Sequence, residues 1–319
     1  MMGESRQPSA VSRQPPEVRT LTADGRRLTA ARGLTVAEAL DAARAALETA
    51  GLADPRREAD ELYAGLVQGP ASAAFAAREE ELPADRAAAL EAAVRRRVAG
   101  EPQAYATGWA NFRGHWLRVD RRVLIPRPET EGLVELVLEW VRGHPARPAP
   151  VAVDVGTGSG AIAIALALEG PFARVRAVEL SADALALARE NVAAHGLAER
   201  VACVGGDLLE PVADRAADVV VSNPPYVATG ELAGLDESVR FFEPVAALDG
   251  GPDGLGPTRR LVAAARHTLT PGGLFALEVD SRRADLAAEL VQDAGFPAVV
   301  IAYDLFNRPR YVWAEQPGA

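Results

Sequence analysis

The chain has 319 residues, 49% of them hydrophobic and 24% charged, with a net charge of −10, the composition expected of a soluble globular protein long enough for two domains. It contains no lysine, which excludes a phosphate-loop NTPase of the usual kind, a pyridoxal Schiff base and a lysine general base together. A single cysteine, Cys203, leaves no disulfide framework or cysteine-rich metal site, and the acidic balance disfavours a large duplex nucleic-acid footprint.

Residues 1–33 are rich in Pro, Ser, Gln and Arg without a period, so they read as a disordered extension. No signal-peptide core and no bilayer-length apolar run is seen, so a cytoplasmic protein with no membrane partner is expected. From 34 to 102 the apolar residues recur at helical spacing, interrupted at Gly51, Asp54-Pro55, Gly69-Pro70 and Pro83. This predicts a small bundle of about four helices, residues 34–102. Residues 103–128, "QAYATGWANFRGHWLRVDRRVLIPRP", alternate in part and carry turn glycines at Gly108 and Gly114, the pattern of a β-hairpin linker. A helix from 129 to about 141 opens the last unit, 129–319.

Beyond 150 the pattern becomes short apolar strands separated by helices: "VAVDV", "RVRAVEL", "RVACVGG", "ADVVVSN", "GLFALEV", "AVVIAYD" and "RYVWAE". This is an α/β fold with a parallel sheet covered on both faces, and such sheets bind ligands beyond the carboxyl ends of their strands. The first strand runs into "DVGTGSGAIAIALA", residues 154–167, where Gly156, Gly158 and Gly160 allow a tight turn and close approach of a ligand to a helix N-terminus. The permissive dinucleotide spacing Gly156, Gly158, Ala161 also fits, so this motif alone leaves an NAD enzyme open. Glu179, ending the next strand, could accept both hydroxyls of a ribose; Asp207, after the third, could accept an exocyclic adenine amine.

The fourth strand ends in Asn223-Pro224-Pro225-Tyr226. A proline carbonyl accepts but its nitrogen cannot donate, and two prolines hold the chain extended. With the Asn223 side-chain oxygen beside it, the Pro224 carbonyl makes a pair of fixed acceptors for one planar NH₂ group, of a glutamine, an adenine or a cytosine. Holding both N–H bonds favours the pyramidal nitrogen that forms as an electrophile approaches. Tyr226 could cover the planar group. His115, His144, His195 and His267 show no metal-ligand spacing, so no metal is expected. The segment 228–256 follows the clamp and reads as a substrate-facing loop.

Taken together, "DVGTGSGAIAIALA", "GGD" and "SNPPYV" resemble an S-adenosylmethionine-dependent methyltransferase acting on a planar nitrogen. "RVLIPRPETEGLVE", residues 122–135, with "GEPQAYATG" and "VRFFEPVAALDGGPDGL", is similar to the HemK/PrmC family of protein-(glutamine-N5) methyltransferases. The resemblance covers roughly 34–316. It implies a seven-stranded Rossmann-like domain with S-adenosyl-L-methionine over Gly156, Thr157, Gly158, Ser159 and Gly160. It also implies Glu179 on the ribose, Asp207 and Leu208 at the adenine, and Phe112 with residues 125–128 walling the pocket. Asn223, shared by cofactor and substrate, would join Pro224, Pro225 and Tyr226 in receiving the glutamine of the Gly-Gly-Gln motif of peptide chain release factors, with no direct nucleic-acid binding. An adenine-N6 nucleic-acid methyltransferase and a non-catalytic translation-machinery binder are the alternatives. Two departures stand out: Asp280 where the family has glycine, and Asn111 where an acid usually precedes the phenylalanine.

Overall fold

The computed structural model describes residues 33–147, 149–213 and 216–318, so the extension expected over 1–33 lies, but for Gly33, outside the described residues. Thr35 starts helix α1 (Val36–Thr49) with a reciprocal cap: its hydroxyl accepts the Glu38 N–H, and the Glu38 carboxylate accepts the Thr35 N–H at 2.9 Å. Helices α2 (Pro55–Val67), α3 (Ala73–Ala76) and α4 (Ala84–Val98) follow. They close around Leu40, Leu47, Leu62 and Leu90, apolar residues of the stretch that recurs at helical spacing.

The stretch expected to begin the hairpin instead begins with a short helix, α5 (Gln103–Thr107), which ends at Gly108 in a left-handed conformation. Five residues are too few to display a helical period, so this turn was hidden in the sequence. The hairpin itself is β1 (Trp109–Phe112) against β2 (His115–Arg118). The buried Tyr105 hydroxyl donates to the Val123 carbonyl, and Tyr105 packs with Val119, Val123 and Leu187, joining the helical region to the larger one.

Helix α6 (Pro128–Gly143) leads into a seven-stranded sheet made of β3 (Val151–Val155), β4 (Arg174–Glu179), β5 (Val201–Gly205), β6 (Ala217–Ser222), β7 (Leu269–Glu278), β8 (Val299–Tyr303) and β9 (Pro309–Glu315). The helices of this region are α7 (Ala161–Glu169), α8 (Ala182–Ala194), α9 (Glu237–Phe242), α10 (Gly256–Thr268) and α11 (Ala284–Asp293). Strand order is β5-β4-β3-β6-β7-β9-β8. Strands β3 to β7 pair in parallel, whereas β9 is inserted antiparallel between β7 and β8. The expected parallel sheet holds for β3 to β7 and gives way at β9 for a simple reason. Only residues 304–308 separate β8 from β9, far too few for a crossover, so the pair must turn back as a hairpin.

One face of the sheet buries Leu133, Val137, Ile164 and Leu166 from α6 and α7; the other buries Leu261, Val262, Ala287 and Val291 from α10 and α11. Burial on both sides explains the near-continuous apolar strands. Among the described residues no helix is long and apolar enough to cross a membrane.

Candidate active site

The chain reverses its direction of winding at β3, which lies between β4 and β6. Parallel register sets Val155 beside Val178 on one side and beside Ser222 on the other. The glycine turn, Glu179 and Asn223 therefore meet at one carboxyl edge, the switch point where open α/β sheets bind ligands.

Gly156, Gly158 and Gly160 have φ of +71°, +56° and +86°, a conformation that side chains resist. A Cβ on Gly156 or Gly158 would meet no atom within 4 Å, so what keeps these positions glycine is backbone direction rather than packing. The turn is held from beneath by Asp154, fully buried, whose Oδ2 accepts from the Thr157 hydroxyl at 2.5 Å and from Ala163 N–H at 3.1 Å. Burial pushes the Asp154 carboxyl up to about 7, against the pull of those two donors. Thr157 and Ser159 are themselves buried, so they offer a ligand backbone and not side chains. Glu179 accepts the N–H groups of Gly158 and Ser181, each at 2.9 Å. A carboxylate has about four acceptor positions, so this fixes the group and leaves two for a ligand.

Sequence reasoning missed Asn191. Its Nδ2 donates to the carbonyls of Ser159 (2.8 Å) and Arg118 (3.0 Å), and its Oδ1 accepts Arg118 N–H at 2.8 Å. One buried amide on α8 thus ties the glycine turn to the hairpin, and only its place in an apolar helix face hinted at it.

At the end of β6, Asn223 is half-buried and Pro224 buried. Asn223 Nδ2 donates to Thr130 Oγ1 at 3.0 Å. The Tyr226 hydroxyl donates to Glu278 Oε1 at 3.3 Å, and burial raises its pKa, so it remains a neutral donor. The two prolines cannot donate to a neighbouring strand, yet the loop is braced. Val227 N–H donates to Leu248 O at 2.9 Å and Gly250 N–H to Val227 O at 2.8 Å. A Cβ on Gly250 would stand 2.7 Å from the Pro225 carbonyl oxygen, and one on Gly254 2.5 Å from that of Tyr226. The glycines of "DGGPDGLG" therefore let this segment lie flat against the clamp. Gly250→Ala is expected to cost about 1–3 kcal/mol through this clash with backbone. Denaturant titration checks it, and an unchanged midpoint would mean that the two loops slide apart freely.

The loop 228–256 is more ordered than its composition suggested, with α9 and short 3₁₀ turns at Thr229–Gly234 and Val245–Ala247. Glu243, almost fully buried, accepts from Arg127 Nη2 at 2.5 Å and from Ile125 N–H at 3.2 Å. The loop is thereby pinned to residues 125–127.

Asp207 lies past β5, where its Oδ2 pairs with Arg260 Nη2 at 2.5 Å; the next residue, Leu208, has a φ of +51°. Phe112 is fully buried in the main core cluster with α6 residues. The two departures have local explanations. Asn111 Oδ1 accepts Gly114 N–H at 3.2 Å, closing the hairpin turn in the way a short polar side chain does. Asp280 caps a 3₁₀ turn through Arg282 N–H, and pairs with Arg282 and Arg283, which both reach Glu231 in the loop. Neither residue touches Asn223 or Pro224.

Residues 38–108 match the PrmC N-terminal domain family model and residues 136–243 the methyltransferase small domain model. A release factor glutamine methyltransferase of Cereibacter sphaeroides is 39% identical over 286 residues, spanning 90% of this chain and 100% of the relative. Those of Moorella thermoacetica and Deinococcus radiodurans are 42% and 40% identical, spanning 82% and 88% of this chain and 91% and 98% of theirs. Among solved structures the hMettl16 catalytic domain, 15% identical with a TM-score of 0.51 over 74% of this chain and 82% of its own, shares the fold. The chain belongs to the release factor glutamine methyltransferases, enzymes that use S-adenosylmethionine.

Proposed function

We propose that this chain transfers the methyl group of S-adenosylmethionine to the side-chain amide nitrogen of the glutamine in the Gly-Gly-Gln motif of a peptide chain release factor. The observation that supports this reading is that Asn223 and Pro224, whose side-chain oxygen and carbonyl would serve as a pair of acceptors, follow β6 at the same sheet edge as the glycine turn, in a chain whose residues 38–108 match the PrmC N-terminal domain.

The residues present fit the cofactor. Open space lies over Gly156 and Gly158, where a Cβ would meet nothing, and Glu179 keeps acceptor capacity for a pair of hydroxyls. Backbone N–H groups at the start of α7 complete a polar cradle. Asp207 and Leu208 would border the base. When bound, the cofactor supplies an electrophilic methyl on a positively charged sulfur.

The protein's part is positioning and charge. A glutamine amide nitrogen is a weak nucleophile because its lone pair is delocalised into the carbonyl. Acceptance of both its N–H bonds, one by Asn223 Oδ1 and one by the Pro224 carbonyl, stabilises the pyramidal, partly positive nitrogen of the transition state. Two prolines and the bracing by 248–256 fix these acceptors before substrate arrives, so little reorganisation is needed. Tyr226 covers the planar group and excludes water. The helical region and the loop 228–256 dock the release factor.

Incubation of the purified protein with methyl-labelled cofactor, a folded release factor and, separately, DNA and RNA tests the substrate class. Label confined to the release factor is expected; label on nucleic acid would transfer the same clamp to a flipped adenine.

A further inference from the structure

Asn223 could present either end of its amide to a substrate, and only the oxygen end suits the reaction above. The neighbouring side chains decide which. Its Nδ2 lies 3.0 Å from Thr130 Oγ1, Thr130 Oγ1 lies 2.7 Å from Glu278 Oε2, and the Tyr226 hydroxyl lies 3.3 Å from Glu278 Oε1. Thr130 and Glu278 are both buried, so water does not complete their hydrogen bonding. An ionised carboxylate only accepts, and a threonine hydroxyl has one proton. Thr130 gives that proton to Glu278, so along the direction of Asn223 its oxygen can only accept. The amide must then turn its NH₂ end inward, since the reversed amide would set two unprotonated oxygens against each other.

We propose that Thr130 and Glu278 are positioning residues for methyl transfer: the Glu278 carboxylate takes the Thr130 proton, Thr130 Oγ1 holds Asn223 by its nitrogen, and Asn223 Oδ1 is left facing the substrate amide. The inference rests on the function proposed above. Neither residue touches the reacting atoms. The relay joins α6, β7 and the turn after β6, three elements far apart in the chain, and it gives a physical task to the threonine of "RPETE" and to the glutamate that ends β7.

The charge on Glu278 matters to the relay, because a protonated carboxyl would donate and release the Thr130 proton toward Asn223. The groups facing Glu278 are Thr130 and Glu129 on α6, Tyr226 in the turn, and Arg310 and Tyr311 on β9. Burial pushes Glu278 up to about 7, with Thr130 and Arg310 acting downward and Glu129 upward. Turnover therefore rises with pH as Glu278 ionises.

The test uses the full chain, a folded release factor and the variants Thr130→Val, Thr130→Ser and Glu278→Gln. Thr130→Val keeps the shape without the hydroxyl and is expected to lower kcat on the order of 10²-fold while the cofactor Kd stays close to wild type. Thr130→Ser restores most of the rate. Glu278→Gln, which can donate to Thr130, loses both rate and the rising limb of the pH profile. Wild-type kcat in Thr130→Val, or an unaltered limb in Glu278→Gln, overturns the proposal. So does a parallel fall of melting temperature, cofactor binding and kcat that serine fails to repair. A second readout is independent of turnover: the Asn223 side-chain NH₂ signal in ¹⁵N NMR, assigned by its loss in Asn223→Ala. It is expected to exchange slowly with solvent in the wild type and fast in Thr130→Val, and equal exchange contradicts the relay. If the wild type methylates no release factor, the function proposed above fails, and this comparison alone decides the relay.

Discussion

Replacing Asn223 by alanine is expected to slow methyl transfer on the order of 10²- to 10³-fold, the usual cost of deleting one preorganised polar group that acts on developing charge. The fold should survive. Asn223 sits at the carboxyl end of β6, outside the apolar clusters, and its side chain donates from Nδ2 to Thr130. The cofactor contacts proposed for the glycine turn and Glu179 are untouched, so cofactor affinity should change little while kcat collapses. Steady-state rates on a release factor, calorimetric cofactor titration and a melting curve separate these effects. Turnover within a few-fold of wild type would remove the asparagine from the clamp.

The second large effect is on stability. Arg127 pairs with Glu243 at 2.5 Å, and the Glu243 side chain is 1% exposed. Arg127→Ala leaves that carboxylate buried without its counter-charge, which typically costs about 3–5 kcal/mol. Because Glu243 also accepts the Ile125 N–H, the stretch 125–127 and the loop 228–256 should loosen together. Adding Glu243→Gln to Arg127→Ala should recover much of the loss, since a neutral amide tolerates burial and can still accept from Ile125. Denaturant unfolding of the single and double variants measures this. A single-variant loss below about 1 kcal/mol would mark the pair as equivalent to an exposed one.

The features legible in the sequence were those built from neighbours in the chain. All seven strands of the main sheet could be read as short apolar runs, the central ones because both their faces are buried, and the glycine turn because its positive φ values favour glycine. The place of Asn223 to Tyr226 just past β6 could be read because consecutive prolines mark the end of a strand. What escaped was built across the chain. Thr130 meets Glu278 over a separation of 148 residues and Asn223 over 93, and Arg127 meets Glu243 over 116. No spacing rule reaches so far, and each residue alone passes for an ordinary helix or strand polar group. The short helices α5 and α9 escaped for the opposite reason, being too brief to show a period. The antiparallel β9 was within reach: the five residues before it are too few to cross a sheet, a constraint of length rather than of pattern.

Resemblance and geometry contributed different things to the functional reading. The clamp proposed for Asn223 to Tyr226 would suit one planar NH₂ group, of a glutamine or an adenine alike. The match of 38–108 to the PrmC N-terminal domain and the relatives of nearly equal length are what favour a release factor. Where the methyl group lands is thus the most direct test. Peptides from a release factor treated with this protein and labelled cofactor can be sequenced by tandem mass spectrometry. The account predicts a single added methyl on the side-chain amide of the Gly-Gly-Gln glutamine, absent when that glutamine is changed to glutamate. Label on another residue, or undiminished label after that change, would contradict it.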